Sequence, residues 1–316
     1  MGSIWDMVII GGGPAGLTAG LYAARAGLKT VLLEQGIPGG TLINIDHLEN
    51  YPGFADGIPG SELAMHMMEQ ATRFGLQTEI AHVTGLEWPS DAPQGAWQGG
   101  RVLAEEQSWQ ARTVVVSTGS RPRLLGVPGE ERLTGRGVSY CATCDGALFR
   151  GKVVAVVGGG DSALSEAIFL TRFAERVLLI HRRDQLRGIQ VLQERARENP
   201  KIAFHLESVV EEIQGQDGVQ GLVLKHRPTG KTETVPVDGV FIYVGADPAT
   251  GFLPEALQRD VRGYIIVNDD LQTSLTGVFA AGDVRLKKLR QVATAVGDGA
   301  QAAMAAGEFL ANCDIR

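Results

Sequence analysis

The sequence predicts an α/β fold of two Rossmann-like dinucleotide-binding units, each a three-layer ββα arrangement on a parallel sheet. The second unit is inserted into a discontinuous first one. Three observations predict this. Residues 7–35 and 153–183 repeat one design of apolar strand, glycine turn, helical pattern and apolar strand, in register throughout. The strands are apolar along their whole length, which suits a parallel sheet covered on both faces. Stretches rich in Pro and Gly punctuate the chain near 121–129 and 243–248, where two units would connect.

The first copy runs from Met7-Val8-Ile9-Ile10 into Gly11-Gly12-Gly13-Pro14-Ala15-Gly16, then through a helical stretch to Thr30-Val31-Leu32-Leu33-Glu34. Gly11 makes the tight turn, Gly13 lets the backbone approach a pyrophosphate, and Gly16 lets the helix pack on the strand. The helix N-terminus then faces the phosphates. Glu34 ends the second strand, where a carboxylate accepts hydrogen bonds from ribose hydroxyls and repels a 2′-phosphate. This copy therefore suits the adenosine of FAD or NAD. Residues 90–100, with Pro93, Gly95, Gly99 and Gly100, read as an exposed hairpin loop without chemistry. Arg112 to Val116 is a strand running into Ser117-Thr118-Gly119, and the first crossing follows it.

The second copy leads from Val154-Ala155-Val156-Val157 into Gly158-Gly159-Gly160-Asp161-Ser162-Ala163. Its second strand ends in His181-Arg182-Arg183, with Arg187 shortly after. Cationic donors where the first copy has Glu34 suit a 2′-phosphate, which Arg can hold bidentately, so this copy suits NADPH. Beyond the second crossing, Gly277 to Asp283 is an apolar strand ending in a Gly-Asp turn. The last helical pattern, Gln291 to Leu310, is rich in Ala and Gly, which permits close packing on a neighbour or a flat ring. The expected boundaries are 1–119 and 246–316 for the FAD-binding unit, and 120–245 for the NADPH-binding unit.

Composition removes other classes. The net charge of −7 provides no broad basic surface for nucleic acid. No apolar run is long enough to span a membrane, and no charged segment precedes an apolar stretch as in a secretory signal. Three cysteines in 316 residues make no disulfide framework, which points to a reducing, cytoplasmic compartment. Cys313 reads as an incidental thiol near the C-terminus.

The remaining two cysteines stand in Cys141-Ala142-Thr143-Cys144-Asp145. This spacing lets the sulfurs close and reopen a disulfide with little backbone movement, and it favours a thiolate. A structural staple and half of a zinc site are the alternatives, but no second pair has ligand spacing, so no metal is expected. Asp145 fits a proton donor to a leaving thiolate or a reduced flavin if burial raises its pKa, and equally a helix N-cap.

With two dinucleotide turns and the thiol pair ahead of the second, the chain resembles the low-molecular-weight thioredoxin reductases over essentially its whole length. The specific pieces are Cys141 to Gly146, His181-Arg182-Arg183-Asp184 with Arg187, and Gly282-Asp283 followed by Arg290-Gln291. The resemblance implies a homodimeric flavoprotein. In it, NADPH reduces FAD, FAD reduces the Cys pair, and the dithiol reduces the disulfide of thioredoxin. It implies FAD contacts at Gly11, Gly13, Ala15, Gly16 and Glu34, at Gly40-Thr41-Leu42, Asn50, Val83 and Thr118-Gly119, and at Gly282, Asp283, Arg290, Gln291 and Val292. NADPH contacts are implied at Gly158, Gly160, Asp161, Ser162, Ala163, His181, Arg182, Arg183 and Arg187. By the same resemblance Cys144 faces the flavin and Cys141 attacks thioredoxin, an order that the spacing alone leaves open. This chain departs from the family pattern at Thr41, where Gln is frequent, and at Leu289, where Tyr is common. Lys287 and Lys288 place charge in a loop where a partner would dock.

The Cys pair and the nicotinamide site share the inserted unit, and both must reach one flavin. This predicts alternation by rotation about the crossings near 120–130 and 243–250. Competing readings are a flavin-dependent dithiol oxidase using oxygen, a ferredoxin–NADP reductase-like flavoenzyme, and a nucleotide-binding regulatory module. The first is opposed by the intact basic cluster, and the other two by Cys141 and Cys144.

Overall fold

The computed structural model describes residues 4–89 and 97–314. Most of the expected hairpin loop at 90–100 thus lies outside the described residues, and Trp97 at its end is buried rather than exposed. The chain divides into two compact units, Met1–Arg121 with Asp247–Arg316, and Pro122–Ala246.

The first unit opens with β1 (Trp5–Ile10), α1 (Pro14–Arg25) and β2 (Thr30–Glu34), followed by α2 (Gly60–Arg73), β3 (Gln77–Ile80), β4 (Val83–Glu87), β5 (Gly100–Ala104) and β6 (Ser108–Val116). The strand order is β3-β2-β1-β6-β5-β4. The pairs β1–β2, β2–β3 and β1–β6 are parallel, and helices α1 and α2 make the crossovers from β1 to β2 and from β2 to β3. The long strand β6 serves two layers. Its first half, from Ser108 to Ala111, pairs antiparallel with β5. Its second half, from Val114, runs parallel to a strand from the end of the chain.

The strand pattern explains the layers. Alternate residues of the apolar strands face opposite sides. Met7, Ile9 and Leu32 pack with Leu17 and Ala19 of α1, while Val8, Ile10 and Leu33 pack with Val83, Leu86 and Val102 of the antiparallel meander. All of these are buried, which explains why the strands carry no polar alternation.

The chain crosses over through β7 (Ser120–Pro122). The second unit contains α3 (Glu130–Leu133), β8 (Val138–Ser139), α4 (Ala142–Asp145), β9 (Val153–Gly158), α5 (Asp161–Leu170), β10 (Arg176–Ile180), α6 (Gln190–Glu198) and β11 (Ile202–His205). Then come β12 (Ser208–Gln214), β13 (Gly221–His226), β14 (Thr232–Pro236) and β15 (Gly239–Tyr243). Its parallel sheet has the order β11-β10-β9-β15-β8, and β12-β13-β14 forms an antiparallel layer. Val154, Val156, Val177 and Leu179 face α5, and Ala155, Val157, Leu178 and Ile180 face the antiparallel layer. The three-layer design therefore occurs twice.

The chain returns through β16 (Ala246–Pro248) to the first unit, adding β17 (Val278–Ala280) beside β6 and the long helix α7 (Val292–Asp314). The small residues of α7 meet α1. A Cβ on Gly299 would fall 2.1 Å from the Ala15 carbonyl oxygen, so the two helices approach at a distance only glycine allows.

Candidate active site

In the first unit, β1 connects to β2 on one side and neighbours β6 on the other. The carboxyl ends of these strands therefore open at a topological switch point, where α/β sheets bind ligands. A cavity of about 750 Å³ lies there. Gly11, Gly13 and Ala15 of the first glycine turn line it, together with Glu34, Gly40, Thr41, Leu42 and Val83. Thr118, Gly119, Gly282, Asp283, Gln291 and Val292 complete the set. Fourteen positions expected from scattered stretches of sequence thus converge on one wall.

Three expected residues stand elsewhere. Gly16 lies beneath the turn, where a Cβ would come 1.9 Å from the Gly11 carbonyl oxygen, so its task is helix-on-strand packing. Asn50 donates from Nδ2 to Gln291 Oε1 at 3.1 Å. Arg290 places its guanidinium carbon 4.0 Å from the centroid of the Tyr264 ring.

Two carboxylates shape the cavity. Glu34 accepts hydrogen bonds from the Gly12 amide at 2.7 Å and the Gly36 amide at 3.1 Å, which fixes it beside the glycine turn. Asp283 carries a buried Oδ1 with no hydrogen-bond partner. Burial pushes its pKa above the ordinary value, against the pull of Lys287 and Arg290. A buried acceptor left open on a cavity wall fits a ligand that brings hydroxyl donors. The sugar chain and adenosine of FAD supply such donors, and its pyrophosphate suits the α1 N-terminus.

Lys287 contradicts the expectation of a charge at a docking surface. Its ammonium is buried and donates to Asp298 Oδ2 at 2.7 Å.

In the second unit, the carboxyl ends of β9 and β10 bring the second glycine turn beside His181, Arg182, Arg183 and Arg187. Gly158 ends β9, Gly160 caps α5 in an extended conformation, and Ser162 and Ala163 lie in the first turn of that helix. The Asp161 carboxylate accepts from the Ile189 amide at 2.7 Å, and the amides of Arg187 and Gly188 donate to the Gly159 carbonyl. The basic loop is thereby tied to the turn.

The antiparallel layer holds the other side. The carbonyls of His181, Arg182 and Arg183 accept from Ser208 N, Arg227 Nη1 and Glu207 N respectively. Three consecutive carbonyls are thus satisfied within the fold. His181 is not the cationic donor expected. It is buried, with Nε2 unpartnered, and burial followed by the charges of Arg187, Arg183 and Arg182 pushes its pKa down, despite a raising backbone bond at Gln185. The positive charge comes from the arginines, and neutral His181 offers an unused buried nitrogen beside the turn. A glycine turn, three guanidiniums and an open imidazole nitrogen together fit an adenine dinucleotide with a 2′-phosphate.

Cys141 and Cys144 form a closed disulfide across the start of α4, with 5.4 Å between their Cα atoms. Cys144 is exposed and Cys141 half-buried. The Cys141 sulfur accepts from the Cys144 amide at 3.1 Å and so caps α4 itself. Asp145, read as an N-cap, ends that turn and stands at the N-cap position of the 3-10 helix Gly146–Phe149, where its side chain makes no capping hydrogen bond. Tyr243, which the sequence did not single out, accepts from the Ala142 amide at 2.9 Å. Burial and the nearby Glu166 push its pKa up, so the hydroxyl stays protonated while it pins the turn.

Residues 5–299 match the model of the pyridine nucleotide-disulphide oxidoreductase family. The chain belongs to that family. It is 45% identical to the thioredoxin reductase of Listeria monocytogenes over 313 residues, 97% of this chain and 94% of that protein. Among solved structures, the thioredoxin reductase of Lactococcus lactis matches with a TM-score of 0.92 at 45% identity, covering 98% of this chain and 99% of that one. That of T. acidophilum matches with 0.90 at 35% identity, covering 98% and 99%. This pyridine nucleotide-disulphide oxidoreductase is of the thioredoxin reductase type.

Within this family member, sequence reasoning missed one wall of the first-unit cavity. Pro248 to Phe252, just after the second crossing, line it, as do Ala81, His82 and Thr84 around Val83. No side-chain chemistry marks the Ala249–Gly251 stretch. Its place there follows from the fold, through bonds such as Ala249 N to the Gly119 carbonyl and Thr118 Oγ1 to the Ala249 carbonyl.

Proposed function

We propose that this protein is an NADPH-dependent flavoenzyme that reduces the disulfide of a thioredoxin through Cys141 and Cys144. The observation that carries this reading is the closed disulfide in the same unit as the arginine-bearing glycine turn. The first unit would hold FAD through the glycine turn, Glu34 and Asp283. The second would hold NADPH through Gly158 to Ala163, Arg182, Arg183 and Arg187. When bound, FAD supplies a carrier that takes a hydride from the nicotinamide and passes an electron pair to a disulfide.

The chain's own residues do the rest. Two electrons and two protons convert the Cys141–Cys144 disulfide to two thiols. Cys141, as a thiolate, attacks one sulfur of the thioredoxin disulfide, and the released thioredoxin sulfur takes a proton. Cys144 then attacks the mixed disulfide, re-forming the Cys141–Cys144 bond and freeing the second thioredoxin thiol. The Cys144 amide aimed at Cys141 Sγ and the start of α4 favour a thiolate there. Asp145, next to Cys144 in the chain, would hold the proton that moves in these steps. Tyr243 keeps the turn in place. Because both electron-handling sites of the second unit must serve one flavin, turnover proceeds by rotation of that unit about the crossings at 121–122 and 246–247. The protein would work as a homodimer, as the resemblance to the thioredoxin reductases implies, and in a reducing cytoplasm, to which its few cysteines point.

The test is a coupled assay of the purified protein with NADPH and an oxidised thioredoxin. The wild type should consume NADPH and generate thioredoxin thiols. Cys141→Ser and Cys144→Ser should each lose thioredoxin reduction while NADPH still bleaches the flavin without oxygen. A wild-type flavin that NADPH does not bleach, but that oxygen reoxidises after reduction by dithiols, would favour the dithiol oxidase instead.

A further inference from the structure

Asp283 poses a physical question. It is a carboxylate with a buried, unpartnered oxygen, and four cations follow it within seven residues: Arg285, Lys287, Arg290 and the exposed Lys288. Buried carboxylates with cations in reach ordinarily pair with them. Here the three that are not exposed, Arg285, Lys287 and Arg290, are engaged elsewhere. Lys287 donates to Asp298 Oδ2 at 2.7 Å and to the Thr294 carbonyl at 3.3 Å. Arg285 makes a forked pair with Asp298, Nε to Oδ2 at 2.8 Å and Nη2 to Oδ1 at 2.7 Å. Arg290 lies against the Tyr264 ring and reaches the main-chain carbonyls of Asp283 and Arg285 at 3.5 and 3.4 Å, bypassing the carboxylate.

Asp298 sits on α7, with its side chain 9% exposed. It also accepts from the Gly282 amide at 3.0 Å, so it anchors the residue before Asp283. One buried acid thus gathers four donors from the 282–287 segment while its neighbour has an oxygen without any.

We propose that Asp298, aided by Tyr264, diverts the nearby cations and thereby keeps Asp283 open as an acceptor for a hydroxyl of the bound flavin's sugar chain. Asp298 is a positioning residue here: it touches no ligand and acts through Lys287 and Arg285. The inference rests on the reading of the first-unit cavity as the FAD site. Without the Asp298 charge, the Lys287 ammonium has one buried carboxylate left to seek, and pairing with it withdraws the Asp283 oxygen from the ligand.

The test is a rescue cycle on full-length protein, reading the FAD dissociation constant by flavin fluorescence on dilution of the holoprotein. Asp298→Asn should weaken FAD binding by about tenfold or more, the scale of one lost hydrogen bond to a charged group. Adding Lys287→Met removes the competing cation, so the double variant should return to within about threefold of wild type. An Asp298→Asn protein that binds FAD normally overturns the proposal. So does a double variant as weak as the single one, because a merely structural Asp298 would not be rescued by deleting its partner. Should Asp298→Asn not fold, the double variant decides: near-wild-type affinity upholds the proposal, and misfolding or weak binding overturns it. A wild-type protein that takes up no FAD would instead refute the reading of the cavity itself, and this inference with it.

Discussion

Under the proposed function, Arg182 and Arg183 turn a short basic stretch into one that discriminates between nucleotides. The carbonyls from His181 to Arg183 are held by Ser208, Arg227 and Glu207, and a loop tied at three points has less entropy to lose on binding. Replacing both arginines with alanine should raise the Michaelis constant for NADPH by roughly 30-fold, about 2 kcal/mol of lost charge-assisted bonding. The constant for NADH, which lacks the 2′-phosphate, should barely change, and steady-state kinetics with the two nucleotides would check this. The arginines stood out in the sequence because their charge differs in sign from that of Glu34 at the matching position. The state of His181 did not. Its neutrality comes from burial and from three cations that the fold gathers around it.

At the scale of elements, the repeat was readable because apolar strands and a glycine turn need side-chain types at fixed spacing. The Ala249–Gly251 wall of the cavity was not, since backbone brought there by the return crossing carries no such signature. The rich supply of Ala and Gly in α7 left open whether it packs on a helix or on a ligand ring. The structure shows contact with α1 at Gly299. Gly299→Ala would force α1 away from α7 and should destabilise the protein by about 1–3 kcal/mol, the usual cost of overpacking. Because the N-terminus of α1 faces the cavity, flavin should also be released more readily. Gly297→Ala, with nothing within 4 Å of its added Cβ, is the matched control. It should be neutral or slightly stabilising, since alanine is the better helix former. Melting curves and the flavin content of both variants test the pair.

The whole molecule separates its tasks between two units of one design. The cavity that suits a flavin is built from residues of the first unit. The disulfide and the arginine-bearing turn are built from residues of the second. Sequence order alone suggested this division, because the Cys pair precedes the second turn and follows the first crossing. A reversible cross-link between the units should therefore let only one half-reaction proceed, with full turnover restored on its release. Unimpaired NADPH-to-thioredoxin turnover in the locked protein would rule out rotation as a necessary step. The central claim is that the flavin and the Cys141–Cys144 pair exchange electrons. Anaerobic titration with NADPH, followed by counting thiols in the denatured protein, tests it most directly. The wild type should accept two hydride equivalents per chain, one for the flavin and one appearing as two new thiols, whereas Cys141→Ser should accept only the first. Complete flavin reduction by excess NADPH with no new thiols would contradict the account.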